Sequence, residues 1–154
     1  MIFLSDKAKK DLVKSWNRPE RPFFAAGACH ILAAVFLETF SNRGYHTLFI
    51  EPEAGYRGGH VVVSNGKTVF DYHGYTDQDV YLAHYFSKIR RFFPHWQGVV
   101  RRLEESPMEK PFCQKYQYRM PDQYWRDPRP RAFSYLQRFK QPHRTEADPS
   151  TSSG

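Results

Sequence analysis

The stretch "HVVVSNGKTVFDYHG" (His60–Gly74) decides the fold. Two runs rich in β-branched and aromatic residues flank Asn65-Gly66. Asn-Gly is the strongest short-range hairpin signal, because both residues tolerate the positive φ of a type I′ turn. A two-residue loop centred on Asn65-Gly66 sets Ser64 opposite Lys67, Val62 opposite Val69 and His60 opposite Asp71. Opposed side chains share a face, with Cβ atoms about 4.5–5.5 Å apart. An imidazole beside a carboxylate is the base and orienter of a catalytic triad. On an exposed ribbon the same pair would be an ordinary surface ion pair of little consequence. Here both residues share their face with Val62 and Val69, which marks that face as turned toward protein. A slip of one residue would send them to opposite faces. His73, two positions beyond Asp71, is a substitute orienter or a substrate contact, and Gly58 and Gly59 leave room for a substrate backbone beside His60.

Upstream lies "RPFFAAGACHILAAVFLETF" (Arg21–Phe40), the most apolar stretch of the chain. Ile31, Leu32, Val35, Phe36 and Phe40 recur at helical spacing and predict a helix from Ala28 to about Phe40, ended by Ser41–Gly44 with Gly44 as a left-handed cap. Cys29 sits at its start, where free N–H groups and the helix dipole lower a thiol pKa. A cysteine in an Ala-rich run is by itself better read as core. The His60–Asp71 pair supplies the partners that a nucleophile needs. His30 follows on a different side of the helix and is assigned a structural or rim role.

The remaining pattern predicts a helix over residues 6–16 with Leu12, Val13 and Trp16 inward, and a polar link from Asn17 to Pro22 interrupted by two prolines. It further predicts a strand over His46–Pro52, a strand running from Lys67 to Gly74, a helix opened by Thr76 with Asp77 and Asp79 in its first turn and ending near Phe93, and a short helix from Gln97 to Glu105. Fold class is α+β: a helix carrying the cysteine packed on a small antiparallel sheet.

The chain has 154 residues, 40% hydrophobic and 17% aromatic, with a formal charge of +7. That is enough apolar material for one core, and the surplus charge favours anionic contacts. Residues 1–106 read as the catalytic domain. Residues 107–142 form an extension rich in Pro, aromatics and basic side chains, and 143–154 a disordered tail. From Pro107 to Arg144 there are nine Lys/Arg against three Asp/Glu. This segment either wraps the domain through its aromatics or forms a binding arm for nucleic acid or an acidic protein, with Tyr116, Tyr118, Tyr124, Trp125, Phe133 and Tyr135 stacking on bases. Cys29 and Cys113 lie 84 positions apart without a CxxC, which disfavours a zinc knuckle or a dense disulfide framework. His30, His46, His60, His73, His84 and His95 form no i, i+4 zinc pair, so no metal or cofactor is expected. Cys113, with no helix start nearby, is packed or exposed rather than reactive. The N-terminus lacks the long apolar core of a secretory signal, and no apolar run reaches the roughly 18–20 residues of a membrane span, so the expected location is cytoplasmic, with export as an effector left open.

A cysteine on a helix, then a histidine opening a strand, then an aspartate on the next strand resembles the papain-like cysteine hydrolase superfamily, nearest to its transglutaminase-like and arylamine N-acetyltransferase-like branches, with the NlpC/P60 peptidases also similar. The matching residues are "GACHILAAVF" around Cys29, "GGHVVV" around His60 and "VFDYHG" around Asp71, within Phe23–Gly74. The resemblance implies a papain-like core and a Cys29-His60-Asp71 triad. It also implies attack on an amide or related acyl bond of a protein or peptide-like substrate through a thioester, without a cofactor. Water as acceptor gives a peptidase, amidase or deamidase; an amine gives an acyltransferase or transglutaminase. Where papain-like peptidases place an oxyanion-binding Gln, about six positions before the Cys, this chain has Phe23. The Cys29 N–H supplies one donor, and Asn17 or the Trp16 ring nitrogen is the candidate for another, with Gly59 and His73 at the rim.

Overall fold

The computed structural model describes residues 10–143. Three helices come first: α1 (Leu12–Trp16), α2 (Glu20–Ala25) and α3 (Cys29–Thr39). Strands β1 (His46–Pro52), β2 (His60–Ser64), β3 (Thr68–Asp71) and β4 (Gly74–Asp77) follow, then α4 (Gln78–Phe92) and β5 (Gly98–Leu103). The chain ends in α5 (Lys110–Tyr116), a 3₁₀ turn (Pro121–Gln123) and α6 (Arg129–Leu136). The five strands make one antiparallel sheet of order β4-β3-β2-β1-β5. The fold is α+β, with the cysteine-bearing helix packed on the sheet.

Strand alternation builds two cores from one sheet. Phe49, Val61, Val63 and Phe70 point to one face and pack with α3 (Ile31, Leu32, Val35, Phe36) and with Phe112, Tyr124 and Tyr135 from the C-terminal segment. Leu48, Ile50, Val62 and Val69 point to the other face and pack with Tyr81, Ile89 and Trp96. Helix α4 therefore covers the face opposite to α3. α3 is buried on nearly every side, from Cys29 to Phe36, which is why its sequence is apolar all round rather than amphipathic.

The hairpin register differs from the type I′ reading. Val63 pairs with Phe70 and Ser64 with Val69, so the two turn residues are Gly66 and Lys67. Gly66 has φ +92° while Asn65 is not in the left-handed region, as in a type II′ turn with Gly at its first central position. Asn65 closes the turn instead with its side chain, whose Oδ1 accepts from the N–H groups of Lys67 and Thr68 at 2.9 and 2.7 Å. The displacement is two residues, so every side chain keeps its face. His60 and Asp71 are diagonal neighbours rather than directly opposed.

Other expectations are corrected. In α1, Leu12 and Val13 are exposed, and the buried residue is Ser15. The part of the expected first helix before residue 10 lies outside the described residues, as does the tail from 144. The supposed link Asn17–Pro22 runs into α2, because Pro19 caps a helix and Pro22 sits in its first turn, where no N–H partner is lost. The strand expected to reach Gly74 ends at Asp71, and Tyr72-His73 turn into β4, which pairs Asp71 with Gly74. Thr76 belongs to that strand, and Asp77 is the true cap of α4, its carboxylate accepting from Val80 N–H at 3.1 Å. Gln97–Glu105 holds β5 rather than a helix, pairing Val99 and Val100 with Glu51 and Ile50 of β1.

Residues 107–142 wrap the domain. Phe112, Tyr124, Tyr135 and Leu136 are in the core, with Tyr116 and Tyr118 packed against it. Of the six aromatics that base stacking would use, only Trp125 and Phe133 are exposed. Part of the segment's charge is also committed inward. The Arg131 guanidinium donates to Trp16 O and Arg18 O at 2.5 and 2.7 Å, pairs with Glu20 and lies 3.8 Å over the Phe23 ring. α6 thus clamps the turn that leads into α2 and α3. Among the described residues no helix is long and apolar enough to cross a membrane.

Candidate active site

Cys29 is the first residue of α3 and 5% exposed. The residue before it, Ala28, provides no side-chain cap, and no acidic residue occupies the first turn. The amides of that turn are therefore free to stabilise an anion, which is what an uncapped helix N-terminus offers. His60 opens β2, so its ring stands at the end of the sheet. There α3 from one face and α4 from the other both reach it. His60 Nε2 lies 3.5 Å from Asp71 Oδ2, and the ring interacts electrostatically with the Cys29 sulfur. The nitrogen left for the sulfur is Nδ1. Both His60 and Asp71 are almost wholly buried, at 5% and 4% exposure.

Burial opposes a charge on each of the three groups, and each is overcome by its neighbours. Burial pushes the Cys29 thiol up, but the His60 charge, foremost, and the His30 ring beside it hold it well below an ordinary thiol. Burial disfavours the His60 imidazolium, yet the Cys29 charge and the hydrogen bond to Asp71 hold its pKa well above that of a free imidazole. Burial would raise Asp71, but hydrogen bonds from His60, His73 and Tyr81 keep its carboxyl below the usual carboxylate range. The result is a thiolate–imidazolium pair oriented by a carboxylate.

The supporting layer comes from α4. Tyr81 Oη donates to Asp71 Oδ2 at 2.7 Å. The Tyr85 ring stacks on His60, 5.7 Å between centroids and 9° between planes, and its hydroxyl donates to Gly58 O. Trp96 Nε1 donates to Arg57 O at 2.7 Å. These bonds tie the β1–β2 loop to α4 and to the turn that follows it, and Gly58, at φ +97°, has no room for a Cβ because Ile89 of α4 occupies it. Tyr81 and Tyr85 were not singled out from the sequence. The signal was their i, i+4 spacing on a helix whose sheet-facing side meets the strand face of His60 and Asp71.

The three residues open onto a cleft of about 990 Å³. Its walls are Ala25–Gly27, the β1–β2 loop, α4 and Tyr116–Arg119, and its charged lining holds Arg57, Lys88 and Arg119 against Glu51 and Asp71. Gly59 and His73 line it as expected. His73 sits in the β3–β4 turn rather than on the strand, its N–H donating to Asp71 Oδ1 at 2.8 Å and its Nδ1 3.4 Å from the same oxygen. Trp16 and Asn17 do not line the cleft. Trp16 packs edge-on against Phe23 under Arg131, and Asn17 is the exposed C-cap of α1. Phe23 is fully buried in the core. His30 is wholly buried, not at a rim: Nε2 lies 2.6 Å from Arg119 O, and Nδ1 lacks a conventional hydrogen-bond partner. An Nε2–H donated to that carbonyl ties the C-terminal segment to the residue beside the nucleophile. Among the described residues no group of three His, Cys, Asp or Glu is placed to hold a metal ion.

Cys113 is the internal control. It is buried, its sulfur 3.5 Å from Pro107 O, and burial alone pushes its thiol up to about 11. Iodoacetamide at about pH 6.5, two units below the ordinary thiol pKa of about 8.5, is expected to alkylate Cys29 at least about a hundredfold faster than Cys113, read by peptide mass mapping. Equal, slow labelling of both would show that Cys29 is an ordinary buried thiol.

No family model, curated protein or solved structure matches this chain.

Proposed function

We propose that the protein is a papain-like cysteine hydrolase that cleaves an amide or related acyl bond of a peptide-like substrate. The observation that carries this reading is His60, a buried imidazole held between a free thiol at a helix N-terminus and a carboxylate, at the floor of a cleft. A purely structural His–Asp pair has no need of a free sulfur or of an opening to solvent. The Cys29 thiolate adds to the carbonyl carbon, forming the C–S bond as the π electrons move to oxygen. Collapse restores the carbonyl and breaks the bond to the amine, which takes its proton from the His60 imidazolium. Neutral His60 then accepts a proton from water as that oxygen attacks the thioester. Collapse releases the acid and regenerates the thiolate and imidazolium. Asp71 holds the ring and stabilises its charge throughout. Water is the assigned acceptor, because the cleft that fronts the thioester is open to solvent.

p-Nitrophenyl acetate tests this without knowledge of the natural substrate. The expected result is an acetyl adduct on Cys29, located by peptide mapping, that decays by hydrolysis and sustains p-nitrophenol release. A stable adduct that decays only when an amine is added would move the assignment to acyltransferase. Acetylation confined to surface lysines would overturn the enzymatic reading.

A further inference from the structure

The attack described above places negative charge on a carbonyl oxygen, and the usual side-chain donor for it is missing, since Phe23 is in the core. The Cys29 N–H, in the uncapped first turn of α3, offers one hydrogen bond. A second donor has to reach the cleft, stand close to the sulfur and have its hydrogen uncommitted. Beyond burial, the Cys29 charge reaches the hydroxyls of three tyrosines, Tyr85, Tyr118 and Tyr124, and raises the pKa of each. Two of these hydroxyls are committed: Tyr85 donates to Gly58 O and Tyr124 to Gly27 O. Tyr118 is different. It lines the cleft with Cys29, and no described residue accepts a hydrogen bond from its hydroxyl.

Its position is firmly set. Gln117 takes the left-handed conformation (φ 61°) at the C-terminus of α5. Tyr118 N–H then closes back on Cys113 O at 2.9 Å, and the next carbonyl, Arg119 O, meets His30 Nε2. The Tyr118 ring stacks on Phe112 at 17° and contacts the His30 ring, 4.7 Å between centroids. Across the cleft, a Cβ at Gly59 would stand 3.5 Å from the Tyr118 hydroxyl. The same Cβ would stand 3.1 Å from Pro52 Cδ, so a glycine here lets the Tyr118 hydroxyl lie close beside the residue preceding His60, on the cleft that Cys29 also lines.

We propose that the Tyr118 hydroxyl, with the Cys29 N–H, forms the oxyanion-binding pair of this site, so that the C-terminal extension contributes a catalytic residue. The proposal rests on the acyl-transfer reading above. A phenol is a suitable donor here because it stays protonated: burial and the neighbouring thiolate both push its pKa up. A preorganised donor aimed at the developing oxyanion acts only in the transition state and commonly contributes about 10²–10³ in rate.

Two reagents separate the roles. Iodoacetamide is attacked at a saturated carbon and forms no oxyanion, whereas p-nitrophenyl acetate forms one at the same sulfur. In Tyr118→Phe, which keeps the ring in its stack, acetylation of Cys29 is expected to slow about a hundredfold while alkylation stays within about twofold of wild type. The unchanged alkylation also reports that the site is folded. Unchanged acetylation would overturn the proposal. So would an equal fall in both rates, which would make Tyr118 a support for the thiolate instead. A wild-type protein that alkylates at Cys29 but never acetylates there would reject the acyl-transfer reading itself, a result distinct from either.

Discussion

Replacing His60 by alanine is expected to slow acyl transfer at Cys29 by at least about four orders of magnitude, toward the roughly millionfold loss seen when the base of a nucleophile–base pair is removed. The size follows from the balance of forces on the sulfur. Burial is the largest single influence on Cys29 and disfavours the thiolate; the His60 charge is the largest force against it. With His60 gone, the neighbouring His30 ring is too little to keep the thiol ionised, and its pKa rises past the ordinary value. Once the pKa exceeds the working pH, each further unit is a tenfold loss of thiolate. The loss of proton transfer to the leaving group adds to it. Iodoacetamide alkylation is expected to fall as well, by the thiolate share of the effect alone, so the ratio of the two losses separates activation from proton transfer. Free imidazole, small enough to enter the vacated space beside Tyr85, is expected to restore part of the rate. Slow labelling of Cys113 shows that the variant is folded, because that thiol becomes fast only when its packing opens. Acyl transfer within tenfold of wild type would show that the sulfur does not depend on His60.

The pairing behind that prediction was legible in the sequence for a physical reason that tolerated a wrong detail. The hairpin turn is Gly66-Lys67, not Asn65-Gly66, because the Asn65 side chain satisfies the N–H groups of Lys67 and Thr68 and so favours the turn with a single left-handed residue. Side chains alternate with a period of two, so a shift of two preserves the face of His60 and Asp71. A shift of one would have destroyed it. The Cys29 helix was legible because a chain buried on all sides must be apolar on all sides, and the switch from that run to the β-branched strands marks the change of period.

What was not legible depends on contacts between distant parts of the chain. β5 carries Arg101 and Arg102 among its valines and was read as helix, although its backbone is held by β1 and Arg101 pairs with Glu51. The oxyanion candidates Trp16 and Asn17 precede Cys29 closely in sequence, yet α6 holds Trp16 against the core through Arg131. The residues that do surround the sulfur, Tyr85, Tyr118 and Tyr124, arrive from α4 and from the extension. Nothing local distinguishes them from the chain's other tyrosines. For the extension as a whole, composition left a wrap over the domain and a free arm both open, and its aromatics complete the core on the α3 face.

Asp71→Asn is expected to lower acyl transfer by about 10³- to 10⁴-fold while leaving the fold nearly as stable, and the reason is a single backbone hydrogen. Asp71 accepts on both oxygens: His73 N–H on Oδ1 at 2.8 Å, Tyr81 O–H on Oδ2 at 2.7 Å, with His60 Nε2 near Oδ2. An amide has one accepting oxygen and one donating nitrogen. The His73 N–H can only donate, whereas a tyrosine hydroxyl can turn to accept and an imidazole can change tautomer. The asparagine oxygen must therefore face His73, and its NH₂ must face Tyr81 and His60. All partners remain bonded, so little stability is lost; leaving a buried donor unsatisfied would have cost about 1–3 kcal/mol. His60, however, now carries its lone pair on Nε2 and its hydrogen on Nδ1, which points at the sulfur. In that tautomer it cannot take the thiol proton, and the carboxylate charge that held up its pKa is gone. The sign with pH follows. Wild-type His60 keeps its proton as pH rises through and beyond neutrality, whereas in the variant that proton is lost at lower pH, so the alkaline limb of the acyl-transfer profile moves toward acid. Imidazole ¹⁵N chemical shifts report the tautomer directly. Protonation of Nε2 in the variant, with activity within tenfold of wild type, would mean that the asparagine has turned its oxygen to His60 and that the His73 N–H does not govern the site.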